Sequence, residues 1–141
     1  MIKRLKIVLD TNALISILSR RLNFHSILIS LKDDNFDLFI TNEILLEYEE
    51  KIIRFYGEKQ LTSIIYLFEL LQNVHKISTY FNMSLIKTDE SDNKFVDCAF
   101  ACNADYIVTN DKHFNILKNI EYPKINTISI EEFSELLKTY K

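Results

Sequence analysis

KIVLDTNALIS, Lys6 to Ser16, runs a short apolar stretch, Ile7-Val8-Leu9, straight into Asp10 and then into a second apolar stretch. A nearly continuous apolar run of this length reads as a strand covered on both faces by helices, the form that strands of a parallel sheet take. Ala13 to Leu18 reads as the helix that follows it. Asp10 then stands at the carboxyl end of the most buried-looking strand in the chain. Burial strips a carboxylate of its hydration, so a charge in that place needs a partner.

Outward from this unit the alternation continues. Phe24 to Leu31 reads as a second helix, Asp33-Asp34-Asn35 as a break, and Asp37 to Ile40 (DLFI) as a second strand. Ile44, Leu45, Tyr48, Ile52 and Phe55 recur at helical spacing behind Thr41 or Asn42, either of which can cap a helix. Gly57, the only glycine, ends that helix. Leu61 to Leu71 reads as a further helix and Val74 to Ser78 as a weak strand, while Thr79 to Ser91 carries no pattern that assigns it. A helix from Asn93 to Cys102, a strand Tyr106-Ile107-Val108, a short helix around Phe114 to Leu117, a strand from Thr127 to Ile130 and a helix from Glu132 to Lys138 follow. About five strands separated by helices predict a three-layer α/β/α fold with a central parallel sheet and right-handed crossovers.

At 141 residues and 48% hydrophobic, the chain suits one globular domain, 1–141, with a sizeable core. Its net charge of -3 argues against binding nucleic acid through a bulk positive field, so any polyanion has to be met locally. Cys98 and Cys102 stand at helical spacing with no CxxC zinc pattern and read as reduced packing residues. The N-terminal MIKRLKIVLD lacks the long apolar core and small-residue cleavage site of a secretory leader. No stretch approaches the roughly 20 apolar residues of a membrane span. A cytoplasmic protein that does not enter a membrane is expected.

In an open parallel sheet, chemistry gathers at the carboxyl ends of the strands, near the point where strand order reverses. Asp10 ends the first strand, and DYIVTND ends at Asp111 with Thr109 and Asn110 just before it. If those strands are neighbours, both carboxylates project into one crevice, an arrangement that is costly unless a cation sits between them. TDESDNKFVDCAFAC supplies Asp89, Glu90, Asp92 and Asp97. Asp92 opens the helix that begins at Asn93, where the helix dipole alone would favour an acid, so the local sequence leaves both readings open. Glu47 lies beyond the first turn of the TNEILLEYEEKI helix; Glu43 reads as a dipole partner of that turn, and Glu49 and Glu50 as solvated.

VLDTNALIS, TNEILLEYEEKI, DESDNKFVDCA and NADYIVTNDKHF, in this order, resemble the PIN-domain ribonucleases. The resemblance is closest to the branch described as toxin components of toxin–antitoxin systems (VapC-like), and it covers nearly the whole chain. No single motif decides it; the ordered set at these spacings does. It implies an enzyme that binds Mg2+ or Mn2+ and hydrolyses single-stranded or structured RNA. It also implies that Asp10, Glu47, Asp92 and Asp111 form a catalytic, metal-binding acid cluster, with Asn12 and Thr109 as polar supports. Asp97, more than a helical turn past Asp92, stays open between a supporting acid of that cluster and a helix-surface acid. A small cognate antitoxin and often a homodimer are implied as partners. The chain departs from the common pattern at Ser91, where many relatives carry another acid, and at Asn103 and Asn110, which replace frequent glycines. Asn tolerates the left-handed conformation, so Asn103 can still terminate its helix.

Magnesium prefers hard oxygen ligands and is commonly held by one or two carboxylates together with substrate phosphate oxygens. A few acids around an open side therefore suit metal-assisted hydrolysis, with no nucleophilic serine or general-base histidine required. His25 and His75 read as surface residues, whereas His113, directly after Asp111-Lys112, is placed to contact phosphate. Arg20, Arg21 and Lys112 are basic residues able to track an RNA backbone, though each also reads as a solvated charge. One rival is a phosphatase or phosphotransferase with Asp10 as its nucleophile; haloacid-dehalogenase-like enzymes place a second aspartate two residues on, where this chain has Asn12. The other is a non-catalytic PIN-like binding module, against which the retention of all four acids counts.

Overall fold

Ile7, Val8 and Leu9 are buried in strand β1 (Lys6–Leu9), the middle strand of a five-stranded sheet, in a computed structural model that describes residues 4–139 other than 22, 81 and 88. Taking each of these side chains out of water contributes about 2 kcal/mol. Strands β2 (Asp37–Ile40), β3 (Val74–Lys76), β4 (Tyr106–Val108) and β5 (Thr127–Ile128) complete the sheet in the order β3-β2-β1-β4-β5, with every pairing parallel. The strand order reverses between β1 and β4, which is where an open sheet leaves a crevice at its carboxyl edge. Leu9 pairs with Val108, and the Asp10 N–H donates to the Val108 carbonyl at 3.1 Å, so the two strands end level.

The helices are α1 (Thr11–Leu18), α2 (His25–Lys32), α3 (Asn42–Tyr56), α4 (Glu58–Leu70), α5 (Asn93–Cys102) and α6 (Ile130–Lys138). Helix α5 packs across β1, β2 and β4, and α2 packs against α6, so the sheet lies between helical layers as the alternation predicts. Phe36, just before β2, meets Phe133 of α6 edge to face at 5.2 Å. On α3, Ile44, Tyr48 and Ile52 recur one turn apart and face inward. The fully buried Tyr48 donates its hydroxyl hydrogen to the Leu9 carbonyl at 2.5 Å, which fastens α3 to the end of β1. Glu47, its neighbour in sequence, is thereby carried to the same edge of the sheet.

Element boundaries shift where a cap takes over. Helix α1 begins at Thr11 rather than Ala13 because Asp10 caps it. Gly57, at φ 87°, ends α3 and directly precedes α4, which therefore starts at Glu58 rather than Leu61. The expected strand to Ile130 is corrected to end at Ile128, because Ser129 caps α6 and Ile130 is already helical. That cap is reciprocal: the Glu132 N–H donates to Ser129 Oγ at 3.0 Å, and the Ser129 N–H to Glu132 Oε1 at 3.1 Å. The short helix around Phe114 is a 3-10 helix over Lys112–Asn119. Among the described residues of 77–89 there is neither helix nor strand, and a 3-10 turn, Glu90–Asp92, leads into α5. Asn103 adopts φ 54° and ψ 51° and closes α5 in the left-handed conformation. Cys98 is buried and Cys102 half-buried, and both are free thiols. Among the described residues no helix is long and apolar enough to cross a membrane.

Candidate functional site

Asp10 is only 4% exposed, and both of its carboxylate oxygens are used. Oδ1 accepts from the Ala13 N–H at 3.0 Å, the capping bond of α1, while Oδ2 accepts from the Thr109 hydroxyl at the end of β4. Burial pushes the Asp10 carboxyl above its ordinary range, the Thr109 hydrogen bond opposes this, and the nearby charge of Asp111 adds to the rise. Thr109 Oγ1 also accepts from the Asp111 N–H at 3.0 Å, so one hydroxyl joins the ends of the two central strands. Asp111 Oδ1 in turn accepts from the His113 N–H at 2.9 Å and starts the 3-10 helix.

Asp92 stands at the N-cap position of α5, yet its side chain makes no capping hydrogen bond. Its Oδ2 is buried without a hydrogen-bond partner. Burial first, then repulsion from Asp89 and Asp111, pushes its carboxyl up to about 6, with neighbouring His113 opposing the rise. The helix dipole therefore does not account for this acid by itself, since an acid serving its own helix terminus would bond to the free N–H groups there. Asp89 caps the preceding 3-10 turn, accepting from the Ser91 N–H at 3.1 Å and the Ser91 hydroxyl at 2.6 Å, and these bonds hold its carboxyl below the ordinary range.

Glu47 completes the group from α3. Its Oε2 accepts from the Thr11 hydroxyl, and Lys94 Nζ lies 2.7 Å from its Oε1. The Lys94 side chain, 12% exposed, also donates to the Ser91 carbonyl and lies 5.2 Å over the Phe95 ring. Asp10, Asn12, Glu47, Asp89, Asp92 and Asp111 line one cavity of about 180 Å³. The four acids singled out from the sequence thus meet, with Asn12 on the wall and the buried Thr109 behind Asp10.

Other residues singled out from the sequence lie elsewhere. Asp97 is 5% exposed, so it is not a helix-surface acid; it accepts from the Met83 N–H at 2.9 Å and lines a separate cavity with Glu43. Lys112 lines a neighbouring cavity with Asn110 and Asp111. Arg20 and Arg21 line a third, with Phe55 and Tyr56. Asn110 accepts from the Ile130 N–H at 2.9 Å and donates to Glu131, tying β4 to α6. His75 is paired with Asp37 at 3.0 Å and stacked on Phe39.

Sequence reasoning gave no role to Thr11, Lys51, Asp89 or Lys94, all of which line this cavity or bond to residues that do. Two of them carried a usable signal: Lys51 follows Glu47 by one helical turn on the same face, and Asp89 precedes Asp92 by one 3-10 turn. Lys94 carried none, because its partner lies on a different helix.

The donor set fits a divalent cation. It consists of hard carboxylate oxygens around an open side, one of them buried and unpartnered on Asp92. Asp89, Asp92 and His113 each offer a ligand atom, all within 4.8 Å of one another.

A sequence model of the PIN domain matches residues 6–113. Among curated proteins no match was found. Several solved structures share the fold. VapBC2 from Rickettsia felis, bound to a DNA fragment from its promoter, aligns at TM-score 0.58 and 17% identity, covering 88% of this chain and 98% of that one. DNA-bound VapBC from Salmonella typhimurium aligns at TM-score 0.60 and 14% identity, covering 89% and 98%. The PIN domain endonuclease Utp24 aligns at TM-score 0.50 and 18% identity, covering 88% and 84%. The family match spans most of the chain and the fold agrees with it: the chain belongs to the PIN domain family.

Proposed function

We propose that this chain is a divalent-metal-dependent endoribonuclease that hydrolyses RNA phosphodiester bonds and serves as the toxin of a toxin–antitoxin pair. One observation carries the reading. Acids from four separate elements converge on one open cavity, and one of them keeps a buried carboxylate oxygen without a hydrogen-bond partner among the described residues. Such an assembly is unfavourable by itself and becomes favourable around a cation. Membership of the PIN domain family supports nuclease chemistry, and the fold shared with Utp24 and with the VapBC structures supports the same reading.

Asp10, Asp89, Asp92 and Asp111 are the residues that would hold Mg2+ or Mn2+, with Glu47 beside them paired to Lys94. When bound, such an ion supplies activation of water and neutralisation of charge on the scissile phosphate. The chain's own part is to fix the donors. Ala13 and Thr109 orient Asp10, and Thr109 also holds the backbone that carries Asp111. Thr11 and Lys94 orient Glu47. Lys51 supplies positive charge at the cavity for a phosphate backbone, and Lys112 supplies it just outside. A small cognate antitoxin and a second copy of the chain are the proposed protein partners. Nothing in the cavity favours Asp10 as a covalent nucleophile, since Asn12 stands where a second aspartate would be needed.

The test is cleavage of RNA by purified protein, first with chelator and then with Mg2+ or Mn2+. Cleavage that requires the ion and is lost in Asp10→Asn, with the fold retained by circular dichroism, is expected. Equal activity of that variant and the wild type in clean preparations would reject the site.

A further inference from the structure

His113 brings an imidazole nitrogen beside three carboxylates of the cavity lining. Its Nδ1 lies 3.5 Å from Asp92 Oδ2, 3.5 Å from Asp111 Oδ1 and 3.8 Å from Asp89 Oδ2. These separations are long for hydrogen bonds, and the Asp92 oxygen that faces the ring is the buried one without a partner. The ring is not placed there by chance rotation of a free loop. The His113 N–H donates to Asp111 Oδ1 at 2.9 Å, and Asp111 is itself held by Thr109, so the imidazole rides on the turn that ends β4. One ligand atom each from Asp89, Asp92 and His113 falls within 4.8 Å of the others, close enough for a single ion to draw them together. The ring is 45% exposed, which leaves it free to make that small adjustment.

Imidazole nitrogen suits first-row transition ions, whereas Mg2+ takes oxygen donors and gives up its waters reluctantly. We propose that His113 Nδ1 is a ligand of the ion held by this cavity, and that it makes the site select a Mn2+-class ion over Mg2+. The inference rests on the reading of the cavity as a divalent-metal site. It adds a chemical criterion that the acids alone do not supply, because carboxylates discriminate weakly between hard divalent ions. The competing role for His113 is a contact with the acids in the free protein that is given up when the ion arrives.

Calorimetric titration of the intact protein with Mn2+ alone and with Mg2+ alone, on the wild type and on His113→Ala, separates the two. Pulsed electron paramagnetic resonance of the Mn2+ complex, with natural and 15N-labelled protein, reads the ligand directly in the wild type and does not depend on the variant folding. Expected are an imidazole nitrogen coupling in the wild type, a loss of Mn2+ affinity of about 10-fold or more in the variant, and a change of less than about 3-fold for Mg2+. Mn2+ binding without nitrogen coupling, or equal losses for both ions, would overturn the role of His113 and leave the metal site standing. Failure of the wild type to bind either ion would instead overturn the metal-dependent reading, and this inference with it.

Discussion

Lys94 Nζ lies 2.7 Å from Glu47 Oε1, so the acid that α3 contributes to the cavity is already neutralised from within the chain. The pair is largely shielded, with 12% of the lysine side chain and 25% of the glutamate side chain exposed. It links α3 to α5 and leaves Asp10, Asp89, Asp92 and Asp111 as the cavity acids with no Lys or Arg ion-pair partner among the described residues.

Lys94→Met should therefore destabilise the metal-free protein at neutral pH by about 1 to 3 kcal/mol, between the values typical of exposed and buried pairs. The variant should gain more from saturating Mn2+ than the wild type does, since a cation then offsets the freed Glu47. Thermal unfolding with chelator and with Mn2+ measures both effects. Equal melting temperatures under chelator would show that the pair contributes nothing.

Asp92 should make stability fall as pH rises in the absence of metal. Its carboxyl titrates near 6 in the folded chain against an ordinary value of 3.8, so between those values the unfolded chain has lost the proton that the folded chain still holds. The folded state is then disfavoured as pH rises through that window, by on the order of 1.4 kcal/mol per pKa unit, and the loss levels off above the folded value. Asp92→Asn should be more stable than the wild type at neutral pH in chelator, with the difference vanishing below about pH 4. Denaturant titrations of both proteins across pH 3.5–7.5 test this. A variant less stable than the wild type at pH 7 would mean that Asp92 serves its helix terminus after all.

Thr109 is a single hydroxyl with two bonds, and Thr109→Val removes both at nearly constant volume. Asp10 then loses the hydrogen bond that favours its charged form, and the Asp111 N–H loses its acceptor. A stability loss of about 1 to 3 kcal/mol is expected, with metal affinity lowered about 10-fold or more. Thr109→Ser, which keeps the hydroxyl, should recover most of the affinity. Calorimetry on the two variants decides the point, and equal behaviour of Val and Ser would assign the effect to packing.

If the toxin reading holds, induced expression of the chain without a partner should arrest bacterial growth, and Asp111→Asn should relieve the arrest. Growth curves at matched expression, checked by immunoblot, give the readout. Arrest that persists undiminished in the variant would place its cause outside the acid cavity.

Much of the architecture was legible because the signals involved are local. The apolar run Ile7-Val8-Leu9, the cap at Thr41, the periodicity of Ile44, Tyr48 and Ile52, and the turn at Gly57 each follow from the residue and its near neighbours. The boundaries at Thr11, Glu58 and Ile130 moved where a cap claimed a residue that periodicity alone assigns to either side, while the weak strand expected to reach Ser78 stops at Lys76 and the helix expected from Phe24 starts at His25. The ordered motifs around Asp10, Glu47, Asp92 and Asp111 marked the acids. Their meeting was conditional on one fact that no motif contains, namely that β1 and β4 are neighbours.

Only the tertiary structure decided that fact, and with it the character of each acid. Asp92 and Asp97 are both acids of the same segment, yet one faces the cavity with an unpartnered oxygen and the other accepts from Met83 in a separate cavity. Glu47 finds Lys94 on another helix, and His113 finds three carboxylates delivered by two different segments. Helix and strand formation are governed by backbone hydrogen bonding and the spacing of apolar side chains, which a sequence states in order. Burial, charge pairing and the shift of a carboxyl group depend on what distant segments bring within a few ångströms, which a sequence states only through its fold.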